Sequence, residues 1–572
     1  MPTREAMWDA LTGRFDLLVV GAGITGAGIA RDAARRGLRV ACVDMNDVAF
    51  GTSSRSSKLI HGGLRYLEQY EFSLVFESVS ERRILQDMAP HLVNPLGFLF
   101  PVYKGARKPL WMINTGIKLY EGLSLFRSPK RPRSLKPADV AEVEPAVKRD
   151  GLKGAPLYYD CATDDARLTL ETVLDASENG AVVATWAKVT SFIKDESGRI
   201  HGVVVKDQLD GELREVHARA VINATGPWTD ATIAMSAGPS ASLLRPTKGI
   251  HVVVRHDVLP LSNAVVCFHP TDKRVLFAIP WGDRTYLGTT DTDFEGDPAE
   301  VHATLEDVDY LIDAANSYFP DHQLARGDVI STWAGIRPLM APPEDNGDVN
   351  ESKVSREHAI VVSQDGLVTI AGGKLTTYRR MAAEVVDTAV RLLEMTDGPM
   401  ELEPARTDKV PLPGARGWPA DDDHARVADE VSKAGHPYVP DDVAAYLADT
   451  YGTRGADLAR AIEKEHALGA RLVEGRPEVM AVVDWAVREE LAATVCDVMV
   501  RRTQLFYRDV DQGLGAAPKV ADRMAALLGW DEARKAREIA LYEQVVAASR
   551  GWRAELDGTQ DKSEASRVPS RA

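Results

Sequence analysis

The chain has 572 residues and a formal net charge of −16, because 84 Asp and Glu side chains outnumber 68 Lys and Arg side chains. This length is typical of three or four domain-sized units. Hydrophobic residues make up 45% of the sequence and charged residues 27%, which excludes a collagen-like, coiled-coil or wholly disordered chain. Nucleic acid is excluded as a general partner, since its phosphates repel an acidic protein.

The cysteines and the N-terminus indicate the cellular setting. The four cysteines lie far apart without a CxxC pair, at Cys42, Cys161, Cys267 and Cys496. Their spacing predicts neither a disulfide framework nor a metal site and favours a reducing compartment. Residues 1–16 lack the apolar core of a secretory signal, and no uninterrupted apolar run reaches about 18 residues. We therefore expect a cytoplasmic protein that is soluble or lies on a membrane surface.

The first strand of the chain leads into a glycine-rich turn. Residues 15–20 form an apolar run typical of a buried parallel strand. Gly21, Gly23 and Gly26 then open a predicted helix with the spacing GxGxxG, which permits a tight turn, a close approach of pyrophosphate and close helix packing. The next predicted strand ends at Asp44, whose carboxylate suits a ribose hydroxyl. The pattern predicts dinucleotide binding, with NAD and FAD both open.

A polar segment, residues 52–68, follows the second strand. It combines several hydroxyl side chains, basic residues and the adjacent glycines Gly62 and Gly63. This composition suits a polar cradle, the alternative being a solvated serine-rich loop. The segment lacks the Pro, Asp and Asn typical of turns, which favours the cradle.

At this segment the sequence resembles the FAD-dependent glycerol-3-phosphate dehydrogenases, the respiratory and quinone-linked kind within the D-amino-acid-oxidase-like flavoprotein group. The resemblance depends on VGAGITGAGIARDAARRG, SSKLIHGGLRYLE, VINATGPW, GTTDTD, AGIRPL and AGGKLTTYRRMA. It covers residues 14–395 strongly and continues more weakly to about residue 545. Ala22 departs from the family, which more often has glycine there, and we expect the methyl group to be tolerated.

The resemblance implies an α/β FAD-binding domain of the Rossmann-like, glutathione-reductase type, with an inserted antiparallel β substrate domain and a C-terminal all-α domain. Short β-rich runs at 251–255, 264–268, 274–280 and 284–290 independently favour an antiparallel sheet. After a Pro/Gly/Asp linker, alanine-rich amphipathic patterns favour helices. The predicted boundaries are 1–100, 162–240 and 330–395 for FAD binding, 101–161 and 241–329 for the substrate domain, 396–550 for the helical domain, and 551–572 for a disordered tail.

The cofactor site implied by these motifs is extensive. Residues 372–376 open a predicted helix whose N–H dipoles would face the reduced flavin N1–C2=O region. His61 is expected to seat the flavin. The predicted cofactor-binding residues are Gly21, Gly23, Thr25, Gly26, Asp44, Thr52, Ser53, Ser57, Lys58, His61, Gly62, Gly63, Gly226, Gly335, Gly372, Gly373, Lys374, Leu375 and Thr376.

The implied substrate is sn-glycerol 3-phosphate, oxidised to dihydroxyacetone phosphate by hydride transfer to FAD. A dianionic phosphate needs cations, for which the matched motifs and their surroundings offer Arg65, Arg356 and Lys374. Tyr66 and Thr377 are expected to shape the substrate pocket.

Two residues are the expected catalytic groups. His251 begins an apolar strand, where a histidine is more often structural, but the resemblance implies a histidine here that faces the flavin and takes the C2 hydroxyl proton, directly or through water. Arg337 is expected to stabilise the developing alkoxide. The division of labour between His251 and Arg337 stays open.

Residues 104–133 combine eight Lys or Arg side chains and one acid with Trp, Tyr and Leu. This composition favours a helix in a membrane interface, the alternative being a buried helix with solvated basic ends. The resemblance implies membrane quinone as the electron acceptor, and together with this segment it makes the cytoplasmic membrane surface an expected partner. A homodimer is compatible with the sequence. Competing functions are an oxidase that releases peroxide, a flavoenzyme acting on an amino acid or 2-hydroxy acid, and a non-catalytic FAD scaffold or redox sensor.

Overall fold

The computed structural model describes residues 3–64, 67, 70–125, 127–238, 242–341 and 358–554. The strands, in chain order, are β1 Arg14–Val20, β2 Val40–Val43, β3 Leu59–Ile60, β4 Val93–Leu99, β5 Val102–Tyr103, β6 Arg133–Leu135, β7 Leu152–Thr163, β8 Val182–Ala184, β9 Ala187–Lys194, β10 Ile200–Asp207, β11 Leu213–Asn223, β12 Leu244–Arg255, β13 Ala264–Phe268, β14 Val275–Trp281, β15 Arg284–Gly288, β16 Thr292–Asp293, β17 Ser331–Met340, β18 His358–Val362 and β19 Val368–Gly372.

Helices cover both sheets and make up the C-terminal part. In chain order they are α1 Arg4–Ala10, α2 Ile24–Arg35, α3 Phe72–Met88, α4 Leu110–Leu123, α5 Pro137–Val143, α6 Asp165–Glu178, α7 Thr229–Ala237, α8 Leu305–Tyr318, α9 Tyr378–Asp397, α10 His424–Gly435, α11 Asp441–Tyr451, α12 Gly455–Lys464, α13 Met480–Glu489, α14 Leu505–Arg508, α15 Ala517–Leu528, α16 Glu532–Ser549 and α17 Gly551–Ala554.

The first sheet has the order β18-β19-β11-β1-β2-β8, with β10 and β9 added beside β11. Pairing is parallel from β19 through β11, β1 and β2 to β8, as the apolar run of β1 predicts. Helices α2, α6 and α9 bury small apolar side chains against one face. The other face packs on the antiparallel strands β9 and β10 and on α1. This arrangement confirms the predicted fold class of the cofactor domain.

The second sheet has the order β16-β12-β15-β14-β13-β4-β7-β3, with β17 beside β12 and with β5 and β6 beside β7. Its pairs are antiparallel except that of β13 with β4. Helix α8 packs on this sheet and shares its core. The four predicted β-rich runs all lie in it, and β13 has the bounds expected from the sequence.

Strand pairing divides the chain differently from the predicted boundaries. Strands β3, β4 and β17 belong to the second sheet, whereas the sequence places them in FAD-binding segments. In β4 the proline Pro95 conceals the strand pattern, because proline is disfavoured inside a sheet. The segment 331–340 is close in sequence to the FAD-binding motif at 371–382, but its backbone pairs along β12.

The C-terminal part is helical, as predicted, and forms two packed groups. Helices α10, α11 and α12 share one core. Helices α13, α15 and α16 share a core with the second sheet, through residues such as Trp333. Between α13 and α14, Asp497–Arg502 forms a short π-helix.

The predicted tail at 551–572 begins too early. Trp552 in α17 is 2% exposed and packs in the core of the second sheet, while Arg553 donates to the Val329 carbonyl at 2.6 Å. A tryptophan that buries this much apolar area orders the chain around it. Residues 555–572 lie outside the described part of the chain. Within the described ranges, no helix has the length and apolarity needed to cross a membrane.

Candidate active site

A cavity of about 420 Å³ lies between the two sheets. One wall consists of the turns that follow β1, β2, β11 and β19 of the parallel sheet, and the opposite wall consists of β12 and β17 of the antiparallel sheet. The crevice beyond the carboxyl ends of parallel strands is the usual ligand site of such sheets.

The turn between β1 and α2 depends on its glycines. Gly21 has φ +105°, and a Cβ there would lie 2.6 Å from the Ala224 carbonyl oxygen. A Cβ on Gly26 would lie 1.8 Å from the Gly21 carbonyl oxygen, so only glycine lets α2 pack on this turn. Gly23, Ile24 and Thr25 line the cavity, which places the positive end of α2 against any ligand inside.

Asp44 follows β2 and lies on the same wall. Its carboxylate accepts the Ala22 N–H at 2.6 Å and the Asn46 N–H at 2.9 Å. Burial raises the pKa of Asp44 to about 6, against the effect of these two hydrogen bonds. The carboxylate is thus held at the end of the strand where a ribose acceptor is expected.

Residues 51–61 connect the two walls. The Thr52 hydroxyl donates to the Ile336 carbonyl at 2.6 Å, which ties this segment to β17. The Ser53 hydroxyl accepts the Ile24 N–H at 2.9 Å and so ties it to α2. The segment is therefore fixed between the parallel and antiparallel sheets.

His251 is buried on β12, with its ring stacked on Trp333 at a centroid distance of 4.6 Å. Nε2 lies 2.9 Å from the Ser57 hydroxyl, whereas Nδ1 is enclosed and makes no hydrogen bond with the described residues. Burial, and then the charges of Arg337 and Lys58, hold the pKa of His251 well below its ordinary value. The imidazole is thus uncharged at neutral pH, and burial makes it a weaker base than an exposed histidine.

Arg337 on β17 is held by the loop that follows β15. Its guanidinium donates to Asp291 Oδ1 at 2.8 Å, to Thr289 Oγ1 at 2.9 Å and to the Thr290 carbonyl at 3.1 Å. A Cβ on Gly249 would lie 2.4 Å from one guanidinium nitrogen, so glycine there leaves room for the side chain. The planar guanidinium is fixed in direction, and Asp291 balances its charge.

The turn between β19 and α9 closes the cavity. Gly372 and Gly373 have φ values of +75° and +90°, which favour glycine. The Thr376 hydroxyl accepts the His61 N–H at 3.2 Å, and it lies 3.2 Å from the His61 carbonyl oxygen. These contacts join the β19 turn to the 51–61 segment.

A family model for "FAD dependent oxidoreductase" matches residues 16–379. The chain belongs to this family. A second model, "C-terminal domain of alpha-glycerophosphate oxidase", matches residues 405–535 of this FAD-dependent oxidoreductase. FAD is therefore its cofactor, as the sequence predicts.

Named relatives span nearly the whole oxidoreductase. An aerobic glycerol-3-phosphate dehydrogenase from Staphylococcus epidermidis is 38% identical over 521 residues, covering 91% of this chain and 92% of that protein. Glycerol-3-phosphate dehydrogenase 2 from Mycobacterium tuberculosis is 39% identical over 547 residues, covering 95% and 90%. The crystal structure of a Bacillus halodurans glycerol-3-phosphate dehydrogenase with FAD matches with a TM-score of 0.78 and 33% identity, covering 96% and 98%.

A more distant structure shares only the fold. The L-alpha-glycerophosphate oxidase from Mycoplasma pneumoniae matches with a TM-score of 0.51 and 18% identity, covering 70% of this chain and 99% of that one.

The residues present fit FAD. The α2 N-terminus and the glycine turn offer N–H groups and space for a pyrophosphate. Asp44 offers an acceptor for a ribose hydroxyl. The residues around Gly372 and Gly373 leave open backbone beside the start of α9, where N–H dipoles favour negative charge on the flavin.

Most predicted site residues line this cavity. They are Gly21, Gly23, Thr25, Asp44, Thr52, Ser53, Ser57, His61, Gly226, His251, Gly335, Arg337, Gly372, Gly373, Lys374, Leu375 and Thr376. Three predicted substrate residues, Arg65, Tyr66 and Arg356, lie outside the described residues.

Five predicted residues do not line the wall: Gly26, Lys58, Gly62, Gly63 and Thr377. The Lys58 ammonium turns away to Asp165 at 2.6 Å. Burial disfavours its charge, yet Asp165 and its neighbours hold the pKa of Lys58 above its ordinary value. A Cβ on Gly62 would lie 2.3 Å from the Tyr120 hydroxyl, so this glycine serves packing.

Sequence reasoning missed several residues of the wall. Phe50, Arg55 and Trp228 line the cavity, and the Arg55 guanidinium lies 5.1 Å from the centre of the Phe50 ring. Burial lowers the pKa of Arg55. Arg55 could have been predicted from the sequence, because it is the one cation among the hydroxyl side chains of residues 52–57. For Asp291, the sequence offers only its position in the motif GTTDTD.

Proposed function

We propose that this protein oxidises sn-glycerol 3-phosphate to dihydroxyacetone phosphate and passes the electrons to membrane quinone. The observation that carries the proposal is the convergence of a neutral buried histidine, His251, and an anchored arginine, Arg337, on the cavity that fits FAD. The names of the relatives support the substrate. FAD, when bound, supplies a two-electron acceptor for the hydride that leaves C2.

In this mechanism His251 accepts the proton of the C2 hydroxyl at Nε2, because Nδ1 is enclosed by the fold. The hydride leaves C2 as the C2–O bond becomes a carbonyl, so the substrate loses one proton and one hydride. The Ser57 hydroxyl orients the ring before substrate arrives, and stacking on Trp333 prevents it from turning.

Arg337 donates hydrogen bonds to the oxygen that develops negative charge at C2. Because Asp291 balances its charge, the guanidinium acts as a directed donor and not as the principal phosphate cation. Lys374, together with Arg65 and Arg356 of the predicted set, supplies the charge for the phosphate. This assignment separates phosphate binding from catalysis.

The test is anaerobic reduction of the purified yellow protein by sn-glycerol 3-phosphate. We expect the oxidised flavin band to bleach, and glycerol lacking the phosphate to leave it unchanged. A band that glycerol 3-phosphate does not bleach would overturn the substrate assignment and would favour the amino-acid, hydroxy-acid or scaffold alternatives.

The second candidate is the same oxidation with oxygen as acceptor, which the match of residues 405–535 to an oxidase C-terminal domain favours. Reoxidation rates of the reduced protein separate the two. We expect a water-soluble quinone analogue to restore the band faster than air-saturated buffer. Rapid recovery in air with stoichiometric peroxide would instead identify an oxidase.

A surface on α3 and α4 supports the quinone acceptor and peripheral association with the cytoplasmic membrane. Helix α4 buries Ile117 and Tyr120 but leaves Trp111 66% exposed, together with Met112 and Leu119. Large apolar side chains next to it are exposed as well, namely Tyr70, Phe72, Phe76 and Leu125. Flanked by basic residues in an acidic protein, this surface suits an interface with anionic lipid.

Flotation with anionic liposomes tests the membrane part of the proposal. We expect Leu119→Ser to reduce the bound fraction, because it removes apolar area from the interface. Leu213→Ser is the matched control, since Leu213 is exposed on the distant strand β11. Equal flotation of both variants and the parent would contradict the proposed surface.

A further inference from the structure

The loop that follows β2 forms part of the cofactor wall. Asp44, Met45 and Phe50 of this loop line the cavity. Between them Asp47 turns inward and is completely buried. A buried carboxylate is costly unless cations and hydrogen bonds surround it, so its partners control where the loop lies.

Both partners of Asp47 come from the C-terminal helical part. The Arg502 guanidinium donates two hydrogen bonds to the Asp47 carboxylate at 2.8 and 2.9 Å, and the Arg501 Nε–H donates a third. Burial disfavours the charge of Asp47, yet the two arginines hold its pKa below the ordinary value. The loop is thus joined to a segment more than 450 residues away in sequence.

The two arginines are themselves fixed. They end the π-helical turn Asp497–Arg502, where Arg501 donates to Asp497 at 2.7 Å. Arg502 also donates to the Glu490 carbonyl at 2.7 Å. Asp497 in turn accepts the Trp186 indole N–H at 3.2 Å. The guanidinium groups therefore have little freedom to follow the loop if it moves.

Arg501 makes a further contact with the cavity wall. Its guanidinium lies 5.7 Å from the centre of the Phe50 ring, and the Arg55 guanidinium lies 5.1 Å from the same ring. Phe50 thus contacts one cation of the helical part and one cation of the cofactor segment. The contacts fix the loop at both Asp47 and Phe50.

We propose that Arg501 and Arg502 are positioning residues for FAD, through which the C-terminal helical domain sets the affinity for the cofactor. The two arginines contact Asp47 and Phe50, and these contacts hold the loop that forms the cavity wall beside Asp44. Support of this kind matters because a binding wall must be held within about 0.5 Å of its productive position.

The test measures the dissociation constant of FAD in the full-length protein. Two variants weaken the contact at one partner each: Asp47→Asn removes the charge that the two arginines surround, and Arg502→Lys removes the fork that donates two hydrogen bonds to Asp47. We expect each to raise the dissociation constant about tenfold or more, since one partner of a buried pair is left partly unsatisfied. In the double variant Asp47→Asn/Arg502→Gln, two amides replace the ion pair, and we expect recovery of part of the lost affinity.

The matched control is Asp283→Asn. Asp283 accepts Arg508 at 2.8 Å and joins the helical part to the antiparallel sheet instead of the cofactor loop. We expect its FAD affinity to stay within about twofold of the parent. Thermal unfolding of each apoprotein shows whether it is folded before FAD is added. Unchanged affinity in folded Asp47→Asn and Arg502→Lys, or an equal loss in Asp283→Asn, would overturn the proposal.

Discussion

The half of the cavity beside the parallel sheet is assembled from short contiguous stretches, whereas the half beside the antiparallel sheet is assembled from distant side chains. Gly21, Gly23 and Gly26 shape one turn within a single βα unit. Arg337 meets Asp291 across 46 residues, and His251 meets Ser57 across 194. The shape of each cofactor turn therefore depends on local backbone geometry, whereas the substrate chemistry depends on strand register.

The largest expected effect concerns the substrate half. Arg337→Ala removes the directed donor to the developing alkoxide, and we expect kcat to fall about 10²–10³-fold. FAD content should stay that of the parent, because the glycine turns are untouched. Stopped-flow reduction of the flavin measures the step directly. A reduction rate close to the parent's would show that Arg337 does not serve the chemistry.

The second substitution disrupts the cofactor side of the cavity, at the turn between β1 and α2. Gly26→Ala places a Cβ 1.8 Å from the Gly21 carbonyl oxygen, so α2 must shift away from the turn. We expect a loss of about 1–3 kcal/mol of stability and a low flavin-to-protein ratio. The absorbance ratio of the purified protein measures this occupancy.

Gly116→Ala is the control for that substitution. Gly116 also lies within a helix, α4, but a Cβ there meets open space. We expect normal FAD content and slightly higher stability, since alanine is favoured over glycine in helices by about 1 kcal/mol. Equal FAD content in both variants would mean that close packing of α2 on the turn is not needed.

Features that depend on local sequence could be predicted, and features that depend on tertiary packing could not. The βαβ unit, the Gly372–Gly373 turn and strand β13 could be predicted because their signals are local. Strand β4 could not, since Pro95 interrupts its pattern and its partner β7 is distant. Trp552 could not be distinguished from the polar tail after it, because its burial depends on tertiary packing.

The site shows this limit residue by residue. The motif AGIRPL identifies Arg337 as a candidate residue. Its contact with Asp291, however, depends on how β12, β15 and β17 pair. Lys58 lies in a motif with correct chemistry, yet its ammonium pairs with Asp165 at the start of α6. Motifs therefore identify candidate residues, and register decides which way their side chains are directed.

Asp291→Asn tests the anchor of Arg337 and has a smaller expected effect. The amide keeps the shape of the side chain but removes the charge that holds the Arg337 guanidinium at 2.8 Å. We expect kcat/KM to fall about tenfold, in line with a charged hydrogen bond of about 1.5–3 kcal/mol. The effect should be absent in an Arg337→Ala background, which a double-mutant cycle measures. Additive losses would mean that Asp291 acts independently of Arg337.

A second buried histidine, His91, shows that a lowered pKa alone does not identify a catalytic group. Burial lowers the pKa of His91 to about 3, but His91 does not line the cavity, and neither ring nitrogen hydrogen-bonds the described residues. The unfolded chain takes up this proton near pH 6.5 while the native protein does not. The free energy of unfolding of the native protein therefore decreases as the pH is lowered below about 6.5, by up to about 1.4 kcal/mol per pH unit.

His91→Phe keeps a ring against Trp418 and removes this titration. Between pH 7.5 and 5, we expect the parent to lose about 2 kcal/mol more stability than the variant, measured by urea unfolding at both pH values. Activity at pH 7.5 should be unchanged, in contrast to any substitution of His251. Parallel loss of stability in parent and variant would show that His91 takes up its proton over the same pH range in the native and the unfolded protein, so that burial does not keep it neutral.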